Sequence, residues 1–440
     1  MTAQPKFAIH TMGCKLNFYD SEAIAMGLEQ SGFVRSNSPL DADLVVLNTC
    51  TVTNNSDAES RHLIRKVRRR NPKGFLAVTG CYAQAKPGEI RAMEEVDWVT
   101  TNVEKYDVAP LVAAFHGAGQ VREEAHGIME KRPAEFRILQ HFEAKTRAFV
   151  KIQDGCNLRC AYCIIPFVRG NNRSVGIAPI LEQLRVLCEQ GAQEAVLTGI
   201  HIGTWGRDFR PRKHLTDLLR AIEDSGLDMW VRISSLDSPE IPDELIALMA
   251  GSRIILPHLH IPLQAGSDKT LRQMRRQYDT AQYRDRVLAL KSAMPHLCIG
   301  ADVIVGFPGE SDQDFADGEG FINEIPLDYL HVFPYSNRQG TASAAFDGQV
   351  NGRVIKNRAR ILRELSERRK RAHYERHIGQ TRRAIVLPKH LDGKPRSALT
   401  DNYIEVGVDA PHEAVGARIE VKIPESVLRR WELNPEPLAV

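Results

Sequence analysis

Short apolar runs and helix-period stretches alternate along the first part of the chain. FAIHTMG, DLVVLNT, FLAVTG and the weaker DWVTTN read as strands, while SEAIAMGLEQSG, AESRHLIRKVRRR and PGEIRAMEEV repeat their apolar positions at helical spacing and stop at Gly or Pro. This βαβα order predicts an open parallel sheet covered by helices over residues 1–120. Residues 121–143 lose the alternation, carry mixed charge and include Pro133, which predicts a linker. Six further strand-like runs follow: RAFVKIQDG, EAVLTGI, MWVRISSL, ILPHLHIPL, CIGADVIVGF and YLHVFPYS. They alternate with helical stretches such as IAPILEQLRVLCEQ and YRDRVLALKSAM, so residues 144–375 are expected to form a partial (β/α)6 barrel whose chemistry lies at the C-terminal mouth. A basic helix is expected from about Val354 to His377. From 376 to 440 the pattern turns to strands, with RRAIVLP, NYIEVGVD and ARIEVKIP between Gly, Asp and Pro turns, which predicts a small all-β, OB-like barrel.

Composition narrows the class only slightly. The chain has 440 residues with 43% hydrophobic and 26% charged content, as ordinary globular proteins do. No run approaches ~18 continuous apolar residues, and the opening MTAQPKFAIH lacks a secretion signal, so a cytoplasmic protein with no membrane association is expected. Eight cysteines are too few and too uneven for a disulfide scaffold in a chain of this length, which favours metal or redox chemistry. Net charge is only +3, yet Arg353 to Arg383 holds twelve Lys or Arg against Glu364, Glu367 and Glu375, and RHLIRKVRRR concentrates charge again. Each run fits either a solvated helix face or a phosphate-contacting surface.

The strongest chemical signal is GCNLRCAYC, directly after the first barrel strand. Cys156, Cys160 and Cys163 stand at C-x3-C-x2-C spacing on one short loop. Three thiolates can hold three irons of a 4Fe-4S cluster and leave the fourth open to a small molecule. Structural zinc would call for a fourth ligand from a second C-x2-C or a His pair, and an electron-transfer ferredoxin for a fourth cysteine; neither pattern is evident. A second set, Cys14, Cys50 and Cys81, closes three successive strands of the first sheet, where ligands of open α/β sheets gather. Each thiol alone reads as a small buried residue; together they point to a shared metal. Cys188, in a helical pattern, and Cys298, opening an apolar strand, are assigned to packing.

The loop CNLRCAYC, with Tyr162 before its last thiol, resembles the radical S-adenosylmethionine superfamily. That resemblance implies S-adenosylmethionine on the open iron and its reductive cleavage to a 5′-deoxyadenosyl radical. It also implies cofactor contacts from Tyr162, from Thr198 and Gly199 in TGIHIG, from Arg232 and Ser234 in RISS, from Gln264 in HIPLQAGS and from Gly306 in ADVIVGFPGE. The plainer reading of Gly199, Gly306 and Gly309 is turns, and of His258 and His260 core packing. TMGCKLNFYDSE, LNTCTVTN, TGCYAQ, KIQDGCNLRCAYCIIPFVRG, HLHIPLQAGSDKTLRQMRRQY and FPYSNRQGTAS extend the likeness, so the chain resembles the methylthiotransferase family over nearly its whole length. ALTDNYIEVGVD is similar to the TRAM domain, a small RNA-binding β-barrel, although Ala398 stands where relatives often have Gly.

Members of that family act on isopentenylated adenosine in tRNA, on threonylcarbamoylated adenosine in tRNA, or on an aspartate of a ribosomal protein. TMGCKLNFYDSE with KIQDGCN and TGIHIG looks most like the threonylcarbamoyladenosine branch. By resemblance, then, the substrate is adenosine 37 in the tRNA anticodon loop and the product its 2-methylthio derivative. Two 4Fe-4S clusters are implied, a radical-generating one on Cys156, Cys160 and Cys163 and a sulfur-delivering one on Cys14, Cys50 and Cys81. An external one-electron reductant such as flavodoxin or ferredoxin is implied as well. Arg368, Arg369, Lys370 and Arg371 are the candidate RNA contacts. A different class, a non-catalytic Fe-S electron carrier or RNA-binding protein, would hold clusters without turning over S-adenosylmethionine.

Overall fold

The structure is a computed structural model that describes residues 4–118, 127–130, 132–140, 142 and 146–432. Its first sheet holds β1 (Lys6–Thr11), β2 (Val34–Arg35), β3 (Leu44–Thr49), β4 (Phe75–Gly80) and β5 (Trp98–Val99), all parallel in the order β2-β1-β3-β4-β5. Every residue of β3 is buried because helices cover both faces. Ile24 and Leu28 of helix Lys15–Gln30 pack with Phe7, Val46 and Trp98 on one side, while Ile64 and Val67 of helix Asn54–Arg70 pack with Val45, Leu47 and Val78 on the other. Two expectations shrink. DWVTTN contributes only the two-residue β5, and PGEIRAMEEV forms only the short helix Pro87–Arg91. The edge strand β2 carries too few residues for a periodic signal.

Part of the expected linker, residues 121–126, 131, 141 and 143, lies outside the described residues. What is described is packed between modules. The Leu139 N–H donates to Gln183 Oε1 at 2.7 Å, its carbonyl accepts from Gln183 Nε2 at 2.9 Å, and Phe136 stacks on Tyr19 at 5.8 Å between ring centres.

The second unit contains β6 (Ala148–Lys151), β7 (Gln153–Asp154), β8 (Arg173–Ser174), β9 (Glu194–Thr198), β10 (Trp230–Ile233), β11 (His258–His260), β12 (Cys298–Val305) and β13 (Tyr329–Pro334). Two parallel sheets, β6-β9-β10 and β11-β12-β13, are joined by parallel bridges Val231↔Ile255 and Ser235↔His260. The six predicted strands thus run in sequential order as an open barrel. Because strand side chains alternate, Val150, Leu197, Val231, Leu259, Ile299 and Val332 meet the helices, while Thr198, Arg232, His260, Asp302 and His331 face the lumen. β7 and β8 pair antiparallel across the base of the cysteine loop.

Helix Gly352–Glu375 packs along β13 through Leu362 and Leu365. Its charge is partly internal. Arg358 is buried against Glu310 at 2.7 Å, and Arg369 donates to the carbonyls of Ile325 at 2.9 Å, Leu327 at 3.0 Å and Ile322, closing the end of helix Asp312–Glu324. The last sheet is antiparallel, β16-β15-β14-β17, from β14 (Thr381–Leu387), β15 (Arg396–Thr400), β16 (Glu405–Val408) and β17 (Arg418–Lys422). β15 is an unpredicted strand, since RSALT has only weak alternation before its turn. Among the described residues no helix is long and apolar enough to cross a membrane.

Candidate metal centre: two sets of three cysteines

The register of the first sheet pairs Thr11 with Asn48 and Thr49 with Gly80, which brings three strand ends level. Cys14 caps helix Lys15–Gln30, Cys50 follows β3, and Cys81 opens helix Cys81–Ala85. Gly13, at φ +91°, is required here. A Cβ on it would lie 2.8 Å from Cys50 Cβ and 2.9 Å from Cys50 Sγ, so glycine lets the first two loops touch. Burial, then the neighbouring thiols of Cys81 and Cys14, push the Cys50 thiol up to about 11. Such a thiol gives up its proton readily only to a metal.

Cationic partners come from across the molecule. Arg169 Nε donates to Cys81 Sγ at 3.2 Å and its terminal nitrogens to Asp20 at 2.8 Å and to Asn17. Asn102 joins Cys81 Sγ at 3.5 Å to the Val168 carbonyl at 2.9 Å. Asp20 also accepts from Lys105 and Tyr106, and Asp154 is held by Lys151 at 3.0 Å and Arg173 at 3.6 Å. Four basic side chains therefore share two carboxylates beside the thiols. Burial would raise Asp20, but Lys105 and Arg169 hold it down at about 2. Arg338, beyond β13, pairs with Asp57 at 2.6 Å and donates to Thr51, next to Cys50.

The second set stands on the loop after β7. Gly155 has φ +74°, and a Cβ there would be 2.0 Å from the Asn171 carbonyl oxygen. The Cys156 N–H donates to the Gly170 carbonyl at 2.9 Å, and the Cys163 N–H to the Cys160 carbonyl at 3.1 Å, which curls the three cysteines around one centre. Arg276 donates to Cys160 Sγ at 3.3 Å and pairs with Asp237 at 2.5 Å. His201 Nδ1 is 3.4 Å from Cys156 Sγ, and its Nε2 is 2.9 Å from Glu240. Burial opposes a charged imidazole, yet the Cys156 sulfur and Glu240 hold His201 up at about 10. Burial pushes the Cys163 thiol up to about 12, with Cys160 adding to the shift.

The donor sets suit clusters better than single ions. A single zinc at Zn–S bonds of ~2.3 Å would draw thiolates to within roughly 4 Å of each other. Among the described residues the groups of three whose ligand atoms lie within 4.8 Å are His260/Asp302/His331 and Cys298/Asp328/His373; neither cysteine set is drawn in so tightly. Three spread thiols with guanidinium donors beside them fit a larger, anionic iron-sulfur group.

Of the other expected positions, several gather near this loop. Tyr162 is half-buried, and burial raises its phenol well above the ordinary range. Gly199 lies where a Cβ would meet the Gln153 carbonyl at 2.8 Å, and the next two N–H groups donate to Gln153 Oε1 at 3.0 and 2.8 Å. Thr198 is buried at the end of β9, and Ser234 follows β10. Gln264, at φ +66°, pairs its backbone with β12 by donating to Asp302 at 2.8 Å and accepting from Ile304 at 2.8 Å. Gly306 is explained by its turn, since φ is +77° and a Cβ would meet Ile355 at 2.3 Å.

Arg232 has partners on other elements. It is buried in the lumen, pairs with Glu194 at 2.9 Å, donates to the carbonyls of Asp401 at 3.2 Å and Thr400 at 3.5 Å, and lies 5.3 Å from the ring centre of Tyr403. Its donors thus tie the barrel to the last sheet. In the basic helix, Arg371 pairs with Glu375 at 2.8 Å and Arg369 is engaged as described, whereas exposed Arg368 and half-buried Lys370 make no ion pair among the described residues. Arg169, Asn102, His201, Arg276 and Arg338 were not singled out from the sequence. Arg169, His201, Arg276 and Arg338 fall inside the quoted motifs, but pattern alone does not reveal that a charge is buried.

Residues 6–101 match the family described as Uncharacterized protein family UPF0004, and residues 150–318 match the Radical SAM superfamily. The threonylcarbamoyladenosine tRNA methylthiotransferase MtaB of Bacillus subtilis (strain 168) is 38% identical over 94% of this chain and 93% of its own length. The protein of the same name from Aquifex aeolicus is 35% identical over 95% and 100%. A tRNA-2-methylthio-N(6)-dimethylallyladenosine synthase of Thermobifida fusca is 34% identical over 88% and 78%. Among solved structures, the radical S-adenosylmethionine methyltransferase TsrM of Kitasatospora setae shares the fold at TM-score 0.55 and 12% identity, over 75% of this chain and 73% of that one.

Proposed function

Since the chain belongs to the MtaB-type radical S-adenosylmethionine methylthiotransferases, we propose that it converts N6-threonylcarbamoyladenosine at position 37 of tRNA to the 2-methylthio derivative. The observation that carries this reading is Arg169. It lies a few residues beyond Cys163, in the segment that follows the radical loop, and bonds Cys81 of the other set, so two three-thiol sets share one wall. Cys156, Cys160 and Cys163 would hold one 4Fe-4S cluster, and Cys14, Cys50 and Cys81 a second. Bound there with S-adenosylmethionine, these groups supply the electron, the carbon radical and the methylthio sulfur. Adenine C2 has neither an acidic proton nor a leaving group, so acid–base chemistry alone would not substitute it.

The chain's own residues build the environment. Arg276 and His201 donate to the radical-loop sulfurs and lower the charge felt by the centre, and Arg169 and Asn102 do so at Cys81. Asp237 and Glu240 orient Arg276 and His201 in turn. The lumen between the sets admits the splayed base. Arg368, Lys370 and the last sheet, taken as a TRAM-like domain, carry phosphate contacts, and a flavodoxin- or ferredoxin-type donor delivers electrons.

Mass spectrometry of tRNA nucleosides, with the gene present or deleted, tests the reading. Loss of 2-methylthio-N6-threonylcarbamoyladenosine on deletion is expected, with recovery by the intact gene but not by a Cys156→Ala copy. Retention of that nucleoside together with loss of the isopentenyl product would move the assignment to the dimethylallyl branch.

A further inference from the structure

We propose that His260, Asp302 and His331 form a site for one divalent first-row cation in the barrel lumen, and that the open positions of this cation take the carboxylate of the threonylcarbamoyl group. The cation site stands on geometry; its ligand rests on the substrate reading above.

Three neighbouring parallel strands supply the site. His260 ends β11, while Asp302 of β12 and His331 of β13 are direct partners in the register, so strand alternation brings all three to the lumen. His260 Nε2 is 2.8 Å from Asp302 Oδ1, His331 Nδ1 is 3.4 Å from the same oxygen, and the three ligand atoms lie within 4.8 Å of one another. Metal bonds of ~2.1 Å would set neighbouring ligand atoms roughly 3–3.5 Å apart, so small shifts close the site. Two imidazoles and one carboxylate hold divalent first-row metals while keeping positions open. The Tyr329 hydroxyl stands 3.4 Å from His260 Nδ1 and 2.9 Å from His258 Nε2, which occupies the far nitrogen of His260 and turns Nε2 to Asp302.

Charge separates this group from its neighbours. Glu194 of β9 takes both Arg147 at 3.3 Å and Arg232 at 2.9 Å. Asp302 has no lysine or arginine within ion-pair distance among the described residues, and imidazoles carry no fixed positive charge at neutral pH. Cys298, Asp328 and His373 lie as close together, but Asp328 already pairs with Lys291 at 2.6 Å and Arg376 at 2.5 Å, both of which a metal would have to displace. The His260 and Asp302 side chains are 11% and 25% exposed and that of His331 is 54% exposed, so the site is anchored on one side and reached from solvent on the other. Asp302 neutralises half the charge of a dication, which leaves attraction for an anionic oxygen. A threonylcarbamoyl group brings a carboxylate from N6, whereas an isopentenyl group has no donor to offer the metal.

The probe is Mn(II), which binds oxygen and nitrogen donors in preference to thiolates and is read by electron paramagnetic resonance. Full-length enzyme with both clusters reconstituted and in their diamagnetic oxidised state is titrated anaerobically. Bound Mn(II), together with any copurified zinc, cobalt or nickel, should total one ion per chain, and the Mn(II) should show coupling to histidine nitrogen. Tyr329→Phe should weaken Mn(II) binding about 10-fold, and Asp302→Asn and His331→Ala by more, each at wild-type iron content. A total near zero in wild type, or bound Mn(II) without nitrogen coupling, overturns the site without any variant, so a folding defect cannot mask the answer. Binding that survives both Asp302→Asn and His331→Ala overturns it as well. A stem-loop whose threonylcarbamoyl carboxylate is labelled with carbon-13 should add a carbon coupling to the bound Mn(II), and its absence with the stem-loop bound overturns the assigned ligand. Methylthiolation of an isopentenyl stem-loop in place of the threonylcarbamoyl one would show instead that the substrate reading had failed, with the ion count unchanged.

Discussion

Arg169 donates to Cys81, Asp20 and Asn17 at once and is itself fully buried, so Arg169→Ala leaves a buried carboxylate and a thiol short of a cation. Removing one partner from such a network typically costs about 3–5 kcal/mol. Urea unfolding of the variant should show a loss of that size, and unchanged stability would mean that Lys105 and Tyr106 satisfy Asp20 without it. At this scale the cysteines were legible because spacing and strand ends are written in the chain itself. Arg169, Arg276 and Arg338 were not, because a pattern of residue types does not show which arginines fold inward. The partners of Arg232 were hidden for the same reason: a position at a strand end says nothing about a glutamate and two carbonyls arriving from elsewhere.

The turn between β15 and β16 shows what an element can do beyond its length. Tyr403, at φ +71°, stacks on His258 at 3.8 Å between ring centres and lies 6.0 Å from Tyr329, so it plugs the base of the barrel. Tyr403→Ala should cost about 2 kcal/mol from lost ring burial and stacking. The loss should appear as faster hydrogen exchange across 396–408 with iron content unchanged. The basic helix divides residue by residue. Reversing Arg368 and Lys370 to Glu should weaken tRNA binding and lower its salt slope by about 2, while Arg369→Glu should instead destabilise the fold by stranding the carbonyls that end helix Asp312–Glu324. Periodicity found the six barrel strands because each sits within a longer apolar run between helical stretches. It overlooked β2, which has only two residues, and β15, whose RSALT carries polar residues at both ends and only weak alternation.

Across the whole molecule, the first sheet and the barrel are locked by buried ion pairs that converge on both cysteine sets, while the last sheet closes the opposite end of the lumen. This assembly was visible in sequence only as separate modules; their contact depends on long-range charge pairing that no local pattern encodes. About eight irons per chain are expected, falling to about four when Cys14, Cys50 and Cys81 are changed to Ala, and unchanged when Cys188 is changed. The decisive measurement is product analysis after anaerobic incubation of reconstituted enzyme with reductant, S-adenosylmethionine and a threonylcarbamoyladenosine stem-loop. Wild type should yield 2-methylthio product together with 5′-deoxyadenosine and S-adenosylhomocysteine, and the Cys14/Cys50/Cys81 triple variant should yield 5′-deoxyadenosine with no methylthio product. Methylthio product from that variant, or no 5′-deoxyadenosine from wild type, would contradict the division of labour between the two sets.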